Sequence, residues 1–240
     1  MARDGTETRT RLLMEAERLF AEVGVWQAAT GDIVRSAGQR NASALTYHFG
    51  SRQGALDAIL AEHGNPVDQR RGELLSNLQG SPTTDTPAVR DLVSTLVRPM
   101  TAVLDDPRGR RYVRIIAQLS DRFPAWRDAP QGVDQTHLER ALNLLEGVAT
   151  GDGPAAREAR LLAMIQLMTV SLAARAGEME HRRPRLDVLD EDGERLQQLL
   201  RRHRTHLARL VCHTLGAALK RRAQRGCLRD KLCEGVMHPA

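Results

Sequence analysis

Between residues 37 and 52 the chain reads AGQRNASALTYHFGSR, and hydrogen-bonding side chains crowd this short stretch. Arg40, Asn41, Ser43, Thr46, Tyr47, His48 and Arg52 stand among only a few apolar residues. A packed core rejects such a set, because every buried polar group needs a partner. An ordinary exposed helix has no need of an aromatic pair beside it. Hydroxyls, an amide and guanidinium groups do suit base edges and phosphate oxygens, which occur together on nucleic acid. Asn41 and Ser43 can bond a base or cap a helix. Arg40 can reach a guanine or a phosphate, and Thr46, Tyr47, His48 and Arg52 fit a chain running past a phosphate backbone. Phe49 reads as core.

These groups need short, well-placed elements. Leu12, Leu13, Ala16, Leu19, Phe20 and Val23 recur at spacings of three and four, which predicts a helix over 8–23 stopped by Gly24. A second helix fits 30–37, with Ile33 and Val34 inward. Gly38 permits a sharp turn, and a third helix fits 41–48, with Asn41 as N-cap. Gly50 breaks it and Ser51 caps a fourth. Three short helices with a tight turn between the second and third describe a helix-turn-helix unit, whose third helix enters the major groove of double-stranded DNA.

Further on, Asn65-Pro66 reads as a kink or as the start of a new helix. A loop of turn formers covers 81–87. Helices follow at about 87–105, 108–122, 133–149, 154–181 and 192–223. The expected fold class is all-α. A helix-turn-helix DNA-binding domain occupies 1–52, a larger helical ligand-binding and dimerisation domain 53–225, and a basic tail 226–240.

The runs LFAEVG, DIVRSAG and LTYHFGSRQGAL occur in that order. They resemble the N-terminal signature of the TetR family of bacterial transcriptional regulators. Phe20, Gly24, Ile33, Ala37, Gly38, Leu45, Phe49, Ser51, Arg52 and Leu56 match its pattern, and the resemblance covers about residues 8–60. Each piece alone is weak, and the ordered combination is specific. The segment between Gly38 and Leu45 is one residue longer than the common form. Ala29 stands where a Ser or Thr cap is usual, with Thr30 as the alternative cap, and Gly31 stands where relatives often carry a polar or basic residue. The resemblance implies a DNA-binding set of Thr30, Arg35, Arg40, Asn41, Ser43, Thr46, Tyr47, His48 and Arg52, with Arg9 and Arg11 as further cations. It also implies a homodimer on a palindromic operator and release by a small-molecule effector.

Pocket residues must then come from the middle helices. Met100, Tyr112, Phe123, Trp126, Met164 and Met168 are large and adaptable, and two carry a polar handle; plain core is the competing reading for each. Apolar residues lie on every face of 161–174, so one face is expected in the protomer core and another against a partner. The last helix carries a cleaner stripe. The expected interface comprises Leu161, Ile165, Leu172, Leu200, Leu207, Val211 and Leu215, packed as a four-helix bundle.

Other features are bland. The net charge is +5, and 33 of the 35 basic residues are Arg, a skew that discounts any single Arg. The excess is C-terminal; residues 1–62 carry net −1. His203, His206 and His213 share nearly one face without carboxylate or thiolate partners, and Asp187, Asp190, Glu191 and Asp192 suit the start of a helix, so no metal is expected. The three cysteines read as free thiols. No phosphate loop, nucleophile motif or cofactor motif occurs, so no enzyme and no cofactor are expected. No apolar run of about 18 residues is read, and the opening residues lack a secretory signal. A cytoplasmic location, at the nucleoid, and no membrane partner are expected. The leading expectation is a ligand-responsive repressor. The alternative is a helical protein-interaction module that kept the fold and lost specific DNA binding.

Overall fold

The apolar stripe of the first helix is buried as its spacing requires. In a computed structural model that describes residues 2–79, 88–120, 130–148 and 153–181, α1 spans Ala2–Glu22, and Leu12, Ala16 and Phe20 are wholly buried. Val23 departs from that stripe and is 54% exposed, because the helix has ended and the chain reverses at Gly24, whose φ is 124°.

Two short helices follow, α2 (Thr30–Ser36) and α3 (Ala44–Phe49). Ile33 and Val34 from α2, and Ala44 and Leu45 from α3, are buried; α2 packs on α1, and α3 packs on α1 and α4. Ala29 occupies the N-cap of α2 without a side-chain bond, so Thr30 does not cap it. The third helix starts three residues later than expected. Asn41 Oδ1 accepts from the Ser43 N–H at 3.0 Å, closing a local turn that competes with helix over 41–43.

Ser51 caps the next helix as its sequence suggests: its Oγ accepts from the Gly54 N–H at 2.9 Å. α4 then runs over Arg52–Gln79 with Pro66 inside it, so no new helix begins there. α5 (Val89–Ala102) continues into a 3-10 turn at Val103–Asp105. α6 (Pro107–Leu119) starts with Pro107 in its first turn, and Asp106 accepts from the Gly109 N–H at 2.9 Å. Both are favoured starts. α7 covers Thr136–Val148 and α8 Pro154–His181.

α8 packs chiefly along α6, and α6 also meets α1, which ties the small N-terminal unit to the larger one. α4, α5 and α7 complete the larger unit. Among the described residues there are eight α-helices and no strand, which gives an all-α fold. By length and composition α8 could cross a membrane, although 44% of its most apolar stretch is buried inside the protein. That qualifies the expectation that no such run exists; a core helix reaches the same composition.

Candidate functional site

The α2–α3 unit separates its residues by character. Gly38 takes a φ of 71°, a backbone state other residues enter only with strain, and the turn it makes sets α3 against α2. Inward go Ala37, Ala44 and Leu45. Outward go Arg40, Asn41, Ser43, Thr46 and Tyr47, with His48 half-buried. Tyr47 is 84% exposed and meets the His48 ring edge-on, with centroids 5.0 Å apart. The Arg9 guanidinium lies 4.7 Å from the Phe49 ring centroid, which brings a cation from α1 to the end of α3.

Two cations of the expected set are engaged within the protein. Arg35 pairs with Asp32 at 2.8 Å on the exposed side of α2. Arg52 turns inward: its Nε donates to the Ala28 carbonyl at 2.9 Å and its guanidinium lies 4.9 Å from the Phe20 ring centroid. Burial lowers its pKa. Arg52 therefore straps the α1–α2 connection to α4, a position a contiguous Ser-Arg pair in sequence does not disclose.

A buried carboxylate joins this head to the larger unit. Glu17 of α1 is wholly buried. Arg108 of α6 donates to it at 2.6 and 3.0 Å and to Glu62 of α4 at 2.6 Å. His63 Nε2 lies 3.0 Å from the same carboxylate, and Arg111 approaches to 3.9 Å. Burial pushes the Glu17 pKa up, but the bonds from His63 and Arg108 and their charge outweigh it and hold it below the ordinary value. Burial likewise opposes the Arg108 charge, and the bonds to Glu17 and Glu62 override it, raising its pKa. A second tie is neutral: Gln118 accepts from the Val25 N–H at 2.7 Å and donates to the Phe20 carbonyl at 3.0 Å.

A cavity of about 100 Å³ opens between α4, α5, α6, α7 and α8. Met100, Tyr112 and Met168 line it; Met164 is buried but not on its wall. Ile165, expected at the dimer interface, faces this cavity instead. The polar part of the wall includes Asp68, Arg71, Tyr112 and Gln135. Asp68 accepts from Arg71 Nη1 at 2.5 Å and from the His137 and Leu138 N–H groups at 2.8 Å each, so it also holds the start of α7. Burial lowers the Arg71 pKa against the pull of Asp68. Burial pushes the Tyr112 hydroxyl up to about 12. Its ring stacks on His63 at 5.2 Å between centroids.

Leu161 and Leu172 are also buried within the protomer, so these interface candidates pack on α8's own neighbours. Among the large apolar residues of α8, Val170 is the exposed one, at 56%. Phe123, Trp126, Leu200, Leu207, Val211 and Leu215 lie outside the described residues, as do the predicted last helix and the basic tail.

Sequence reasoning missed Glu17, His63, Arg108, Asp68 and Arg71. A signal existed for the first: Glu17 falls four residues after Leu13 and three before Phe20, which puts a carboxylate on the buried stripe. The same sign marks Asp68 and Arg71, which follow the buried Val67 and precede Leu75.

No family model and no curated protein matches the chain. Solved structures do resemble it. One is NalD, the secondary repressor of the MexAB-OprM multidrug efflux pump in Pseudomonas aeruginosa, at 22% identity over 83% of this chain and 96% of that one, with a TM-score of 0.44. Another, from Rhodococcus sp., is assigned to the TetR family of transcriptional regulators, at 15% identity over 88% and 99%, with a TM-score of 0.43. A third is Salmonella enterica GusR, at 17% identity over 87% and 95%, with a TM-score of 0.37. At these values the likeness is to a helical arrangement, and the chain's resemblance to TetR-family regulators rests on the ordered signature of residues 8–60.

Proposed function

We propose that the chain is a sequence-specific DNA-binding transcriptional regulator, a repressor that binds a palindromic operator as a homodimer and is released by a small molecule. One observation carries the reading. The six-residue α3 buries Ala44 and Leu45 and turns Thr46 and an 84% exposed Tyr47 outward, beside Arg40, Asn41 and Ser43. An aromatic held so far out, at the end of a helix set by a glycine turn, suits contact with a backbone of phosphate and sugar. The stretch from Asp32 to Asp57 contains no acidic residue between them, so the reading surface is locally cationic although the first 62 residues are not.

Two such heads must stand about 34–36 Å apart to enter successive major grooves. A ligand in the cavity that favours another spacing lowers DNA affinity by its differential binding energy, and about 1–3 kcal/mol of coupling gives a 5- to 150-fold effect. The path from cavity to head runs through Tyr112, His63 and Glu17, each in contact with the next.

The competing reading, a protein-interaction module without specific DNA binding, draws on Arg35 and Arg52 being engaged within the protein. Fluorescence anisotropy with the chain's own upstream DNA, at two salt concentrations, separates the two. Tight binding that survives random competitor DNA, and that an Arg40→Ala, Tyr47→Ala variant loses, supports the regulator. Binding equal on random DNA and indifferent to the variant refutes it.

A further inference from the structure

The wall of the 100 Å³ cavity combines apolar side chains with a small set of polar groups whose bonding is incomplete. Leu96, Met100, Ile116, Ile165 and Met168 supply much of its apolar surface. Arg71 is 5% exposed, and its Nε is buried without a hydrogen-bond partner. A guanidinium N–H left bare in a low-dielectric interior is costly, and the protein does not relieve it here. Asp68 is already committed to three donors. Gln135 Oε1, on the same wall, is also buried and unpartnered. The wall thus presents an unsatisfied donor and an unsatisfied acceptor. The Tyr112 phenol lines the same wall, which adds a second donor.

Charge narrows the ligand further. Arg71 and Asp68 form a buried pair of opposite charges, and the exposed Asp134 at the edge of the wall adds a further carboxylate, so the wall carries no excess of positive charge. An anion entering here would meet Asp68 as well as Arg71 and would lose its own hydration. An uncharged group that accepts from Arg71 and Tyr112 and donates to Gln135 would satisfy the bare atoms without that penalty. Against roughly 10–15 Å³ per water, the 100 Å³ cavity holds a molecule of about seven to ten non-hydrogen atoms.

We infer that this cavity binds a compact, uncharged, mostly apolar molecule bearing one group that both accepts and donates hydrogen bonds, of the carboxamide or hydroxyl type, held between Arg71, Tyr112 and Gln135. The inference rests on the regulator reading only in naming this molecule as the effector; the binding chemistry stands on the cavity itself.

The test uses the full chain and three probes of one shape: benzamide, which is neutral with both hydrogen-bonding functions, benzoate, its anionic counterpart, and toluene, which has neither. Thermal melts are recorded with each for the native chain and for Tyr112→Phe, which keeps the ring on His63 and removes one donor. Benzamide at ten times its dissociation constant is expected to raise the melting temperature by about 3 °C. Benzoate and toluene should give less, and Tyr112→Phe should lose most of the benzamide effect. Equal or larger shifts with benzoate or toluene, no shift with any probe, or a benzamide shift unchanged in Tyr112→Phe would overturn the inference. The same samples are assayed for binding to upstream DNA. Intact specific DNA binding with no benzamide shift rejects the ligand class alone. A benzamide shift without specific DNA binding rejects the regulator reading and leaves the cavity chemistry standing.

Discussion

The Glu17 carboxylate of α1 lies 3.0 Å from the Nε2 of His63 on α4. The same imidazole stacks on Tyr112, which lines the cavity. A wholly buried acid on the head and a ring on the cavity wall are thus one residue apart in space, although the acid and the phenol are far apart in the chain.

Stability should follow the charge of Glu17. Its folded pKa lies below the ordinary value near 4.5 because Arg108 and His63 bond the ionised form. The sign follows: a depressed carboxyl contributes stability fully above its unfolded value and loses it as pH falls through the folded one. Urea melts at pH 7 and at steps below 4.5 should show an acid loss that Glu17→Gln flattens. At pH 7 the variant should be less stable by about 1–3 kcal/mol, the cost of leaving buried donors poorly matched. A variant with the native acid slope would show that another carboxylate governs it.

Arg40 and Tyr47 should matter for DNA and hardly at all for folding. Both are exposed, so each Ala variant is expected to melt within about 0.5 kcal/mol of the native chain. If Arg40 touches a phosphate, its removal lowers the slope of log affinity against log salt by about 1. A full titration over salt measures this directly, and an unchanged slope would place Arg40 on a base edge or off the DNA altogether.

Arg52 should behave in the opposite way. Its bond to the Ala28 carbonyl and its place over Phe20 are internal. Arg52→Ala is expected to destabilise by about 1.5–3 kcal/mol, the range for a hydrogen bond to a charged group, with the salt slope of DNA binding unchanged. A stable variant with a shallower slope would show that the guanidinium leaves its strap to meet phosphate in the complex.

Gly54 touches the end of α3. A Cβ there would collide with the Phe49 carbonyl oxygen, which is backbone and cannot swing aside. Gly54→Ala should therefore shift the C-terminal end of α3, lower the melting temperature and weaken specific DNA binding together. Gly31→Ala is the control: nothing lies within 4 Å of its added Cβ, and a helix gains up to about 1 kcal/mol from Ala over Gly. Equal losses in both variants would show that the loss at Gly54 does not come from the collision with Phe49.

Local signals in the chain carried the helices well. Leu12, Ala16 and Phe20 bury because a spacing of three and four leaves them no other face, and Gly38 turns the chain because little else takes its backbone state. Ser51 caps the helix its position suggests. The start of α3 was less legible, since the Asn41 side chain can cap a helix or close a turn before one, and here it closes the turn. Arg52 read as a phosphate contact because its partner, Ala28, is 24 residues away. Glu17 finds its partners 46 and 91 residues on, so its burial shows only as a misplaced charge on an apolar stripe. The cavity wall, drawn from several helices, had no local signature beyond its large side chains.

Pro66 has a mechanical consequence. It lacks an N–H, so the Glu62 carbonyl loses its helical donor, and α4 is softest there. Gly64 stands in that same turn, where an added Cβ would lie 3.3 Å from the Tyr112 hydroxyl. From Gly64 to Arg52 the helix is a stiff arm of about 18 Å at 1.5 Å per residue. A tilt of about 5° at the soft turn would swing the Arg52 end by about 1.5 Å. On the proposed function, the helix would act as a lever with its fulcrum beside the cavity, and a guest would need to move the wall by only a fraction of what the head travels.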